Sequence, residues 1–185
     1  MLRLLPRRVE SDEYEEEEEP PKAFQSRQEC HACHERLTYT DEIYQLEVVE
    51  AARENGQIEC QPLLCDDGDY QFTPLLVHLE CWETIVEQIQ ESRQDDPPVE
   101  SPTGILICSC CESTIGSFEP FVSSTFGEIH VSQRCPSGQP AETICHLASR
   151  RPVCLSCMVY VIEDYFDEWE DLFHEFNITY EEDDQ

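Results

Sequence analysis

Lysine is almost missing from this chain: Lys22 is the only one in 185 residues. Eleven basic residues stand against forty-one acidic ones, and the formal net charge is −30. Phosphate backbones repel such a chain, so ordinary nucleic-acid binding is not expected. The charge suits a partner protein with a basic surface, or else serves solubility or a high-salt setting. Long apolar runs are lacking too, so no membrane span is expected. The start, Met1-Leu-Arg-Leu-Leu-Pro-Arg-Arg-Val9, is basic but has no sustained apolar core, which argues against a secretory signal. The expected location is therefore intracellular, in the cytoplasm or the nucleus. There thiols stay reduced or bind metal rather than pairing as disulfides. There is no glycine-rich phosphate loop, no nucleophile elbow and no readable triad, so no enzyme is expected.

What the chain has in quantity is cysteine: twelve residues. Cys30-His-Ala-Cys33 is answered by His78-Leu-Glu-Cys81, and Cys108-Ser-Cys-Cys111 by Cys154-Leu-Ser-Cys157. Each pair offers two donors three positions apart on one short turn, and two such pairs satisfy one tetrahedral zinc. Cys33 and His78 are 45 positions apart, Cys111 and Cys154 are 43, so a metal-binding unit is expected to occur twice. Two zinc ions per chain follow, one on Cys30, Cys33, His78 and Cys81, the other on Cys108, Cys111, Cys154 and Cys157. Four protein donors leave no open position, so both are expected as structural, not catalytic, sites. Iron also suits four thiolates, but nothing nearby points to electron transfer.

The pattern along the chain divides it into five stretches. Residues 1–28 form an acidic tail, expected to be disordered, with an unbroken run from Glu15 to Glu19. Residues 29–91 form a first unit. In it Ile43, Tyr44, Leu46, Val48 and Val49 favour a strand, and Asn55-Gly56 supplies a tight turn. Ile58 to Leu64 is the expected return strand. Trp82, Ile85, Val86 and Ile89 lie at helical spacing, with His78 and Cys81 on the first turn of that helix. The helix is expected to fade before Asp95-Asp-Pro-Pro98, and residues 92–104 read as a linker. Residues 105–178 form a second unit in the same order. Ile115 to Val122 echoes Leu37 to Tyr44, and Phe126 to Val131 is the expected return strand. A long acidic helix follows from about 157 to 176, and residues 179–185 are an acidic tail.

Knuckle, hairpin, then a helix whose first turn completes the site: residues 30–90 and 108–176 resemble treble-clef zinc fingers, including the zinc-binding halves of LIM-like domains. The resemblance implies an α+β fold of two tandem treble-clef-like units. It also implies a structural metal and a binding role. Cys30-His31-Ala-Cys33-His34 also fits a c-type haem attachment, but there is no export signal and Glu112 stands where the second unit would need a histidine. A cross-braced arrangement using Cys60 and Cys65 fits the spacing poorly. Cys110, Cys135 and Cys145 complete the unassigned thiols; Cys135 and Cys145 are expected as ordinary free thiols, with a disulfide or redox pair as the alternative.

Met158, Ile162, Tyr165, Phe166, Trp169, Leu172, Phe173 and Phe176 form one apolar stripe at steps of three and four. Its expected first use is the protein's own core. Its distal part, with Trp169, Phe173 and Phe176, supplies candidate anchors for a partner. The function expected is that of a non-enzymatic zinc-binding adaptor or subunit. An acidic inhibitor that imitates nucleic acid and a redox-responsive zinc switch are the alternatives.

Overall fold

The computed structural model describes residues 25–39, 41–65, 68–69, 71–132, 141–147, 150–166, 169 and 176. In chain order the elements are β1 (Gln25–Glu29), β2 (Arg36–Thr38), β3 (Glu42–Glu54), β4 (Gln57–Pro62), β5 (Leu75–His78), α1 (Leu79–Ser92), β6 (Gly104–Ile107), β7 (Thr114–Gly116), β8 (Phe121–Ser132), β9 (Ala141–His146), β10 (Arg151–Cys154), α2 (Leu155–Met158) and α3 (Ile162–Tyr165). It is a mixed α+β fold, mostly sheet, with few helices.

Six strands form the central sheet, and all its pairings are antiparallel. Its axis is the pair β3 and β8, in register from Glu42 against Glu128 to Val49 against Phe121. On its other side β3 meets two partners in turn: β5 along Ile43–Leu46 and β4 along Val49–Glu54. β8 does the same with β10 along Phe121–Ser124 and β9 along Gly127–Ser132. The registers correspond position by position. Ile43 faces His78 as Phe121 faces Cys154, and Glu54 faces Gln57 as Ser132 faces Ala141. Leu46 and Ser124, which hold matching places in the two halves, face each other across the β3–β8 ladder. The halves differ in their connections. β3 and β4 are joined by Asn55-Gly56 alone, both at positive φ, the geometry a two-residue hairpin needs.

Burial explains the long central strands. Ile43, Leu46, Val49 and Ala51 of β3 are fully buried, with Phe121, Val122 and Ile129 of β8 beside them. The expected return strand from Phe126 to Val131 is instead the second part of β8, and the return strand is β9. Ser123, Ser124 and Thr125 suggest a turn by composition, yet they are buried mid-strand, and Ser124 Oγ donates to the Arg151 carbonyl at 3.2 Å. Gly127 lets β9 approach: a β-carbon there would stand 2.7 Å from the Cys145 carbonyl oxygen.

The other expectations meet the structure unevenly. α1 begins after His78, and buries Trp82, Ile85 and Ile89. β1 occupies the last positions of the stretch expected as tail; residues 1–24 lie outside the described residues. The long helix from 157 to 176 is not formed as one piece. α2 ends at Met158, Val159 to Val161 turn the chain, and α3 ends at Tyr165. That bend folds the stripe onto the body of the protein. Met158, Ile162, Phe166 and Trp169 have no exposed surface. Trp169 Nε1 donates to the Thr73 carbonyl at 3.0 Å, and its ring lies 5.8 Å from that of Phe166. Trp169 is thus a core residue and not a partner anchor. Phe176 is half-buried, its ring 6.1 Å from that of Phe72. Leu172 and Phe173 lie outside the described residues. Among the described residues no helix is long and apolar enough to cross a membrane.

Candidate metal centres

Both knuckles are built by the same backbone device. The Cys30 carbonyl accepts from His34 N–H at 2.8 Å, and the Cys108 carbonyl from Glu112 N–H at 3.1 Å. His34 and Glu112 stand at φ 59° and 60°, a left-handed turn that brings the two cysteines of each pair to one side. Cys30 N–H then donates to Glu35 O, and Cys108 N–H to Ser113 O, both at 2.8 Å. A third bond docks each knuckle on the second ligand strand: His31 N–H to Leu76 O at 2.9 Å, Ser109 N–H to Pro152 O at 2.8 Å.

The second donor pair comes from the junction of a strand with a helix. His78 ends β5 and caps α1; Cys154 ends β10 and caps α2. Neither makes a side-chain capping bond, and both side chains turn toward the knuckle instead. Their backbone N–H groups point at the first cysteine: His78 N lies 3.4 Å from Cys30 Sγ, and Cys154 N 3.3 Å from Cys108 Sγ.

Two clusters result. Cys30, Cys33, His78 and Cys81 present donor atoms that all lie within 4.8 Å of one another, and so do Cys108, Cys111, Cys154 and Cys157. These are the groupings expected from the sequence. Donors about 2.3 Å from a tetrahedral ion stand about 3.8 Å apart. Cys108 Sγ lies 3.8 Å from Cys157 Sγ, Cys111 Sγ 3.6 Å from Cys154 Sγ, and Cys33 Sγ 3.4 Å from His78 Nδ1. Both clusters can hold a metal ion, and a donor set rich in sulfur points to zinc.

The proton affinities of the thiols carry the same message. Burial opposes ionisation of Cys30, but N–H groups of His78, Cys33 and Ala32 bring it below the ordinary thiol range. Cys81 beside it is pushed up to about 12, by burial first and then by the Cys30 charge. In the second cluster, hydrogen bonds from Cys110, Cys154 and Cys157 hold Cys108 far below the ordinary range. Sharing with Cys108 raises Cys154 and Cys157 in turn. In each cluster one readily ionised sulfur thus raises the proton affinity of its neighbours. Ionising the rest requires a cation among them, which a divalent metal supplies.

The surroundings of the clusters were not legible from motif spacing. In the first, Asp41 Oδ2 lies 3.3 Å from His78 Nε2. The same carboxylate accepts from Thr38 N–H at 2.6 Å and from Thr38 Oγ1 at 2.7 Å. In the second, Arg93 Nη1 lies 3.7 Å from Cys157 Sγ. Burial works against its charge, and negative charge at the neighbouring sulfurs, Cys157 first, outweighs that and raises its proton affinity. Both residues are far in sequence from the donors they serve, or lie outside any spaced pattern.

The remaining thiols are scattered. Cys65 and Cys145 are exposed and Cys60 is half-buried, none in either cluster; Cys135 lies outside the described residues. The eleven described cysteines form no disulfide. His34 is exposed on its turn, and His31 Nδ1 meets the Leu76 backbone, so neither joins the first cluster. No protein-family model, curated protein or solved structure gives a significant match to the chain.

Proposed function

We propose that this protein is a non-enzymatic zinc-binding interaction protein: two treble-clef-like units, each closed by one structural zinc, that together present a rigid acidic body to a partner. The observation that carries the reading is the pair of complete four-donor clusters, built alike from a knuckle and a strand–helix junction. A full set of protein donors leaves no position for substrate, which favours structure over catalysis. The matching strand registers of the two halves support an internal repeat.

The partner proposed is a protein with a basic surface, favoured by the net charge of −30. With Trp169 in the core, exposed apolar residues are the better anchors. Val99, Ile107 and Phe118 are each more than 60% exposed. Val99 and Ile107 flank Thr114, which donates to Val99 O at 2.9 Å and pairs with Ile107 across the β6–β7 ribbon. Phe118 stands at φ 60°, a strained position for so large an exposed side chain.

The test is capture of partners by the native full-length protein, with metal content measured on the same sample. An Ile107→Ala, Phe118→Ala double variant is expected to lose the partner while keeping fold and metal. Capture unchanged in that variant, and abolished only by salt, would favour the reading of an acidic nucleic-acid mimic.

A further inference from the structure

α1 belongs to the first half of the chain, yet its end reaches the second cluster. Arg93 follows the last residue of the helix, and its backbone N–H donates to Ile89 O at 3.1 Å. Its side chain is only 9% exposed. Nη1 donates to Ser156 Oγ at 3.0 Å and to Cys157 Sγ at 3.7 Å, and Nε stands 3.3 Å from Asp96 Oδ2. Two more contacts run along the same seam: Tyr165 OH donates to Gln88 Oε1 at 3.0 Å and Tyr160 OH to Asp96 Oδ2 at 3.5 Å. The first cluster has the opposite neighbour, the Asp41 carboxylate.

The donor sets explain why the neighbours differ. A divalent ion among four thiolates leaves a surplus of two negative charges; among three thiolates and an imidazole it leaves one. Buried surplus charge is costly unless compensated. Cys108, Cys154 and Cys157 are buried, and the chain as a whole is strongly negative, so compensation has to be local. A histidine ligand instead gains from a carboxylate that fixes its tautomer.

We propose that Arg93 is the counter-ion of the second metal centre: a positioning residue, carried in by the first half of the chain, that donates to the Cys157 thiolate and ties that centre to the end of α1. This rests on the reading that the second cluster holds zinc. The donated hydrogen bond withdraws electron density from sulfur, which slows metal loss and raises the energy needed to move an electron from sulfur to metal.

The experiment loads the full-length protein with cobalt(II) and reads metal count, the sulfur-to-cobalt charge-transfer band and release to a chelator. Wild type is expected to bind two ions. Arg93→Gln is expected to shift part of the band to lower energy and to speed release of one ion roughly ten-fold or more, the other keeping its rate. Tyr165→Phe loosens the same seam without touching sulfur and is expected to leave the band in place. Arg93→Lys keeps the charge without the fork and is expected to fall between wild type and Arg93→Gln. An Arg93→Gln protein with two ions, an unmoved band and unchanged release would overturn the proposal, as would an equal band shift in Tyr165→Phe. If Arg93→Gln does not fold, a Lys variant identical to wild type overturns it. A wild-type protein that takes up no ion at the second cluster fails at the metal count, which overturns the underlying reading together with the proposal.

Discussion

Asp41 Oδ2 lies 3.3 Å from His78 Nε2, on the far side of the ring from the nitrogen that faces Cys33. That contact favours the tautomer with its proton on Nε2, which leaves the Nδ1 lone pair turned toward the cluster. Thr38 holds the carboxylate in place with two hydrogen bonds. Asp41→Ala is therefore expected to weaken one of the two metal sites by about 10–100-fold, the usual effect of losing such a carboxylate. Competition with a chromophoric chelator, which separates tight from loosened sites, checks it. The second ion should keep its affinity.

Trp169 is buried in full, bonded to Thr73 O and packed on Phe166. Trp169→Ala is expected to cost about 3–5 kcal/mol of stability, the range for removing a buried large aromatic. Denaturant unfolding of the metal-loaded protein measures it. A loss near zero would mean that Trp169 is dispensable to the core and available for docking after all.

These two residues show what sequence reasoning reaches and what it does not. The eight donors were legible because metal geometry demands pairs at fixed spacing, and Asn55-Gly56 because few residues accept its backbone angles. Asp41 was not, since one more acidic residue is invisible in so acidic a chain. Arg93 was not, because its place depends on how the two halves pack. The stripe from Met158 to Phe176 was correctly apolar but wrongly straight. Periodicity reports which side chains share an environment, and it is blind to the turn at Val159–Val161 that carries them there. β8 was read as two strands because the second unit was matched to the first, whereas Ser123 and Ser124 pair with both β3 and β10, and Thr125 with β3, so the strand runs on.

Above pH 9, stability should fall with rising pH in the metal-free protein and hold in the metal-loaded one. In the metal-free fold Cys81 is pushed from the ordinary thiol value of 9.0 up to about 12. The unfolded chain then ionises first as pH rises, so this contribution is present below about pH 9 and is lost on the way to 12. With metal bound the thiols are already ionised in the fold, and protons compete with the metal. Stability then falls as pH drops below the thiol range. Thermal unfolding at pH 9, 10 and 11 is expected to weaken step by step with chelator and to hold level without it. Parallel curves would mean that the clusters do not bind metal in the folded state.

The central claim is that each of the two clusters holds one structural zinc, and elemental analysis of protein purified without chelator, combined with native mass spectrometry, measures it most directly. Wild type is expected to carry two zinc ions per chain. Cys111→Ser is expected to carry one, with the first site intact. A chain that folds with no bound metal, or that loses both ions together in Cys111→Ser, would contradict the account.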